Sequence, residues 1–384
     1  LKLSLCMIVK NEEKFIKMCL DNVLPLVDEA VIVDTGSKDS TKDIIKSYGN
    51  RVNLIEAQWE NDFSKARNIS IENAKGDWIL VLDADEKIVV SNVNELRTLI
   101  ESTKYEALKI PFYNLIGDYN LLFSNVYPKI FRNKGYRYNG EIHEQIKDLP
   151  LDMTSEVSET LCKIIHFGYL DSEYKAKDKQ NRNLDILFKQ LNNDENNPFI
   201  YYNLGVTYMS KGEYKTAIDY FFKCNEKLER KFPDSKTLYE SDIIARVAQC
   251  LIEIKDYENC IILLNDVIKD EHFRDFVDLY YFYGNALDQL NRFEEALNMY
   301  KKCIEVGDTT KYISVSGIGS FYPKFRIAEI YEKQGKIMDA AMLYIEAVFD
   351  SKNVFRKGEQ EARSFFKKYN LTEILIEFDK LVKS

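Results

Sequence analysis

Trp78-Ile-Leu-Val-Leu-Asp-Ala-Asp-Glu86 decides the fold: five apolar residues run straight into three carboxylates around a single alanine. A short, unbroken apolar run with polar residues at its end is what a strand buried on both faces requires. Similar runs stand upstream at Leu3 to Val9, Ala30 to Val33 and Val52 to Ile55. Between them Phe15, Ile16, Cys19, Leu20, Val23 and Leu24 recur at helical spacing, and short helices are predicted over Thr41 to Tyr48 and Phe63 to Asn73. Strand and helix in strict alternation predict an α/β, Rossmann-like sheet that is mainly parallel. Such sheets bind ligands beyond the carboxyl ends of their strands. Here those ends carry Lys10 to Glu13, Asp34 to Ser37, Trp59 to Asp62 and Asp83 to Asp85. Beyond Lys109 the alternation loosens, and Ile110 to Leu115, Leu122 to Phe131 and Ile164 to Tyr169 read as extra strands and loops capping the sheet.

From about residue 180 the pattern becomes long, helical and rich in tyrosine. An internal repeat aligns on Ala217, Cys260, Ala296 and Ala340, at spacings of 43, 36 and 44 residues. The segment Tyr201-x2-Leu204-Gly205-x2-Tyr208, continuing to Ala217 and Phe221, matches the tetratricopeptide pattern best, and the unit around Cys260 matches it least. Paired helices need small residues where they approach closely and large ones between. The expected division is therefore an α/β domain over 1–175 and an all-α repeat domain over 176–384, whose groove would hold an extended peptide or a partner protein.

Composition narrows the function. The chain has 384 residues, with 62 acidic against 53 basic side chains and a net charge of −9, which argues against nucleic acid or an anionic membrane as partner. Its seven cysteines show no CxxC pair and sit mostly in apolar stretches, and no apolar run reaches the roughly 18–20 residues of a spanning helix. A reducing, bacterial cytoplasm is the expected setting, and a homodimer is among the expected assemblies. Only His143, His166 and His272 can supply imidazole chemistry.

Asp83-Ala84-Asp85 alone is a weak signal, but directly after a buried strand two carboxylates can share a divalent cation and a sugar nucleotide. The set Cys6-Met-Ile-Val-Lys-Asn-Glu-Glu13, Val33-Asp-Thr-Gly-Ser-Lys-Asp-Ser-Thr41, Trp59-x2-Asp62-Phe-Ser-x-Ala-Arg-Asn68 and Asp77 to Asp85 resembles a family 2 glycosyltransferase of the GT-A fold. With its tetratricopeptide tail, the chain is similar to the sublancin-type bacterial enzymes that place sugars on cysteine or serine of antimicrobial peptides. It is also similar to bacterial enzymes that decorate flagellin or surface glycans.

The resemblance implies a UDP-sugar donor, UDP-glucose first. It places Val9, Asn11, Glu12 and Asp34 at uracil and ribose, and Arg67 near the nucleotide or its phosphates. Asp83 is matched to the residue near ribose and metal, Ala84 lies beside it in the nucleotide-sugar site, and Asp85 is matched to the metal-binding carboxylate. His166, in Ile164-Ile-His-Phe-Gly-Tyr169, is suited to be a further ligand of a Mn2+ or Mg2+ ion, although a histidine with apolar flanks also suits a core. An inverting transfer needs a general base. Gly140-Glu-Ile-His-Glu144 concentrates candidates: Glu144 is the expected base, with His143 and Glu141 as alternates. The competing reading is a tetratricopeptide scaffold with a degenerate nucleotide-binding domain, against which the intact Arg67, Asp83 and Asp85 count.

Overall fold

Apolar strands in the first part of the chain pair side by side because each is hydrophobic on both faces and must be covered twice. The strands are β1 (Leu3–Val9), β2 (Glu29–Asp34), β3 (Val52–Glu56), β4 (Trp78–Val81), β5 (Glu86–Val90), β6 (Ala107–Ile116), β7 (Asn120–Arg132), β8 (Arg137–Asn139), β9 (Gln145–Lys147), β10 (Thr154–Glu156) and β11 (Cys162–His166). Helices α1 (Ile16–Val23), α2 (Thr41–Lys46), α3 (Phe63–Glu72) and α4 (Val93–Ser102) lie between the early ones. The computed structural model describes residues 1–116, 120–168, 173–231, 238–309, 311–351 and 356–383. Tyr169, the last residue of one expected strand segment, lies outside these.

Among the described residues, one sheet runs in the order β3-β2-β1-β4-β7-β6-β11-β5, with β10 on β6. Strands β1, β2, β3 and β4 pair in parallel, as do β6 with β10 and β11, whereas β4–β7 and β11–β5 are antiparallel. The segments read as extra strands are strands, β6, β7 and β11, and they extend the sheet rather than cap it. The strict alternation ends there because β7 joins β4 by antiparallel pairing, which needs no crossover helix. Strand β5, formed directly after the acidic turn, was not foreseen.

One face of the sheet packs Leu3, Leu5, Met7, Trp78 and Leu80 against Ile16, Cys19, Leu20 and Leu96. The other packs Cys6, Ile79, Val81 and Phe131 against Ile71 of α3. Helix α3 starts cleanly because Asp62 caps it, accepting the Lys65 N–H at 3.0 Å.

Contacts divide the chain into two units: Leu1–Leu115 with Ser124–Ser172, and Ile116–Phe123 with Glu173–Ser384. The second contains α5 (Glu173–Asn193), α6 (Pro198–Ser210), α7 (Tyr214–Lys231), α8 (Leu238–Glu253), α9 (Tyr257–Val267), α10 (Val277–Gln289), α11 (Phe293–Val306), α12 (Phe321–Lys333), α13 (Ile337–Asp350), α14 (Arg356–Lys368) and α15 (Thr372–Lys383). Successive helix pairs meet through a small residue on the first helix. Gly205 lies under the Phe221 ring and Gly284 under the Tyr300 ring, so close that a Cβ would fall 2.6 and 2.7 Å from ring carbons. At matching repeat positions stand Ala248 with Leu264 and Ala328 with Tyr344, all buried. The lengthened third interval is a packed loop between α11 and α12, in which Tyr312 stacks on Phe276 at 4.4 Å and Asp308 accepts the N–H groups of Gly317 and Gly319. All seven cysteines are buried and free. Among the described residues, no helix is long and apolar enough to cross a membrane.

Candidate active site

Parallel pairing aligns Val9 with Asp34, so the loops leaving β1 and β2 emerge together. They are laced into one surface. The Val9 carbonyl accepts from the Thr35 N–H at 3.0 Å, and the Asn11 N–H donates to Ser37 Oγ at 2.9 Å. Asn11 takes a left-handed backbone (φ 56), which asparagine tolerates, and its Oδ1 accepts the Lys38 N–H at 2.8 Å. The Glu12 N–H donates to Thr41 Oγ1 at 2.7 Å, while its carbonyl starts α1. Asp34 is 1% exposed. Its Oδ1 accepts the N–H groups of Gly36 and Ser37 at 2.9 and 2.8 Å, whereas the buried Oδ2 has no donor among the described residues. A buried carboxylate oxygen in that state favours any ligand that brings an O–H or N–H.

In the acidic turn each carboxylate has its own basic partner. Asp83 Oδ1 accepts from Arg67 Nη2 at 3.0 Å, Glu86 accepts from Lys129 Nζ at 2.8 and 2.9 Å, and Asp85 Oδ2 lies 3.2 Å from His166 Nε2. Ala84 separates them, buried. Desolvation works against the Asp83 anion, but Arg67 and Lys129 outweigh it and hold the carboxyl well below its usual range. For Glu86 burial wins and pushes the carboxyl up, even with Lys129 beside it. Burial is the largest single influence on His166 and opposes an imidazolium, yet Asp85, Glu86 and Asp83 together outweigh it and the net direction is upward.

Arg67 is almost wholly buried. Its Nε donates to Glu144 Oε1 at 2.8 Å and its guanidinium lies over the Tyr138 ring at 5.3 Å. It therefore ties the acidic turn to the loop between β8 and β9. Asn68 of α3 holds the β8 backbone, exchanging 2.8 and 2.9 Å hydrogen bonds with Tyr138. The loop itself is anchored where the Phe63 N–H donates to the Glu141 carbonyl at 2.9 Å. His143 is exposed on left-handed backbone (φ 53).

The Asp85–His166 pair fits a divalent cation. With Asn114 Oδ1 as acceptor 2.8 Å from His166 Nδ1, the opposite nitrogen faces a carboxylate oxygen, and only a proton or a metal ion reconciles the two. Two ligands at about 2.1 Å on adjacent octahedral positions lie about 3 Å apart. Among the described residues no group of three or more His, Cys, Asp or Glu side chains forms a complete metal site, so these two would bind an ion only with help from another molecule.

Of the residues chosen from sequence, the structure joins Arg67, Asp83 and Glu144 in one cluster and Asp85 with His166 in another. Val9, Asn11, Glu12 and Asp34 form a third group at the β1–β2 edge. Lys129, Asn114 and Tyr138 were missed. Asn114 and Glu86 face His166 only because β11 pairs with both β6 and β5, a register that no local motif announces. The acidic run ending in Glu86 was the one signal pointing to a missing cation.

Residues 4–147 match the Glycosyl transferase family 2 model, and residues 200–226 and 277–306 match the Tetratricopeptide repeat model. The chain is a glycosyltransferase with a family 2 domain followed by tetratricopeptide repeats. It is 28% identical over 302 residues to the SPbeta prophage-derived glycosyltransferase SunS of Bacillus subtilis strain 168, covering 77% of this chain and 70% of that protein. It is 30% identical over 223 residues to a TPR repeat-containing protein of Synechococcus elongatus, 56% of this chain and 54% of that one. Among solved structures, S. aureus TarS 1-349 in complex with UDP-GlcNAc aligns over 91% of both chains, at 16% identity and a TM-score of 0.36.

Proposed function

We propose that the chain moves a sugar from a UDP-sugar, UDP-glucose first, to a cysteine, serine or threonine of a peptide, in the biosynthesis of a glycosylated bacteriocin. The observation that carries the reading is Asp85 Oδ2 and His166 Nε2 standing 3.2 Å apart at the end of β4, beside an acidic turn whose other carboxylates are neutralised. The likeness to SunS extends well past the catalytic unit, and this supports a peptide acceptor held by the repeats.

In this reading Asp34 receives the ribose or uracil with its unpaired Oδ2, and Val9, Asn11 and Glu12 shape the edge around it. Asp85 and His166 hold Mn2+ or Mg2+. When bound, such an ion neutralises charge growing on the departing diphosphate. Asp83, fixed by Arg67, lines the donor beside Ala84. Glu144, oriented by Arg67 Nε, takes the acceptor proton on the face opposite the leaving group. A thiol acceptor demands less of that base, since a cysteine with pKa of about 8.5 is already partly ionised near neutrality. Seven free cysteines suit a reducing cytoplasm.

Intact mass spectrometry of candidate peptides with UDP-glucose or UDP-GlcNAc tests the reading. The expected result is one hexose on the peptide, lost with EDTA and with Asp85→Ala. Transfer only to flagellin or a glycan overturns the peptide acceptor, and UDP binding without any sugar release leaves the scaffold reading standing.

A further inference from the structure

The structure assigns to Gly168 the task of keeping the cation position between Asp85 and His166 accessible. The inference rests on the metal-dependent reading above and adds the residue on which that position depends. A Cβ on Gly168 would lie 2.6 Å from Asp85 Oδ2, 2.5 Å from His166 Nε2 and 2.8 Å from His166 Cε1. Both donor atoms are touched at once, so the glycine Cα forms the wall of the space the two donors share. The helical glycines differ: Gly205 and Gly284 make way for aromatic carbon, whereas Gly168 makes way for an oxygen and a nitrogen with lone pairs.

Conformation does not explain this glycine. Gly140, in the loop carrying Glu144, sits at φ 112, where side-chain-bearing residues are strained, but Gly168 is not among the positive-φ residues. Space is the remaining requirement. Nor can the backbone retreat freely, because the adjacent Phe167 N–H donates to the Asp85 carbonyl at 2.8 Å and β11 is held by β5 and β6 on either side. A methyl group would therefore push the imidazole and carboxylate out of the arrangement that fits one ion. Asp83 and Glu86 cannot substitute, since Arg67 and Lys129 already occupy them.

The test uses the full chain with UDP present and Mn2+ as probe, read by the paramagnetic broadening of histidine ring resonances. With three histidines the signals are few. In the unsubstituted protein the His166 signal broadens. In Gly168→Ala the apparent Mn2+ affinity falls at least tenfold while the unfolding midpoint holds. Broadening of His166 at unchanged Mn2+ concentration in that variant overturns the assignment. Absence of broadening in the unsubstituted protein overturns the metal-dependent reading itself. Should Gly168→Ala lose its fold, Asp85→Ala/His166→Ala/Gly168→Ala removes the side-chain atoms the methyl would strike. Recovery of the midpoint then supports the assignment, and failure to recover shows that the glycine serves the backbone and sinks it.

Discussion

Asp83 in the catalytic unit and Asp278 in the repeat unit are the same residue in opposite electrostatic settings. Asp83 faces two permanent cations, Arg67 and Lys129, and its carboxyl is held well below the ordinary range. Asp278 is 3% exposed and, among the described residues, accepts from neutral donors, the Ser314 hydroxyl and the Val315 N–H, so burial pushes its carboxyl up to about 7. It does so even in the first turn of α10, where the helix dipole favours an anion. Hydrogen bonds alone do not compensate for desolvating Asp278, whereas two cations together do so for Asp83. The catalytic unit keeps a fixed anion, and the repeat unit keeps a titratable one.

The contrast can be broken at several points. Asp85→Asn removes the carboxylate whose partner is an imidazole, and transfer to peptide, followed by intact mass, should fall by about 10³-fold or more. Arg67→Met leaves Glu144 without its cation and Asp83 with Lys129 alone. The expected cost is about 3–5 kcal/mol of stability, read by urea unfolding, together with loss of turnover. Equal stability in that variant would show that the two carboxylates are not tied through Arg67.

Asp278→Asn addresses the other side. A carboxyl raised from its unfolded value to about 7 binds a proton in the native state that the unfolded chain has released, so stability falls as pH rises from about 4 to about 7. The variant should therefore match the unsubstituted protein near pH 4 and exceed it at pH 8 by on the order of 3 kcal/mol, measured as urea midpoints. A pH-independent difference would remove the titrating group from the account. Gly284→Ala should have the smallest effect, about 1–2 kcal/mol, through its clash with the Tyr300 ring. Thermal unfolding reads it.

Much of this was legible before the structure. The β1 to β4 strands, the strand-end clusters and the repeat were written in local patterns, because a buried parallel strand and a paired helix each impose their own spacing. What could not be read was set by register. His166 meets Asn114, Glu86 and Asp85 because three strands distant in sequence align there, and Lys129 reaches Glu86 from β7, 43 residues further along the chain. The base candidate in Gly140 to Glu144 was found by its composition, yet its attachment to Arg67 came only with the fold.

The seven buried cysteines have a practical consequence. Burial pushes their thiols up to about 12 or beyond, so near neutral pH they are neither nucleophiles nor targets. An enzyme that glycosylates thiols would in this way be spared from modifying itself. Iodoacetamide added to enzyme and peptide together would then alkylate the peptide alone, and whichever sulfur the sugar has taken would show as the one left unmarked.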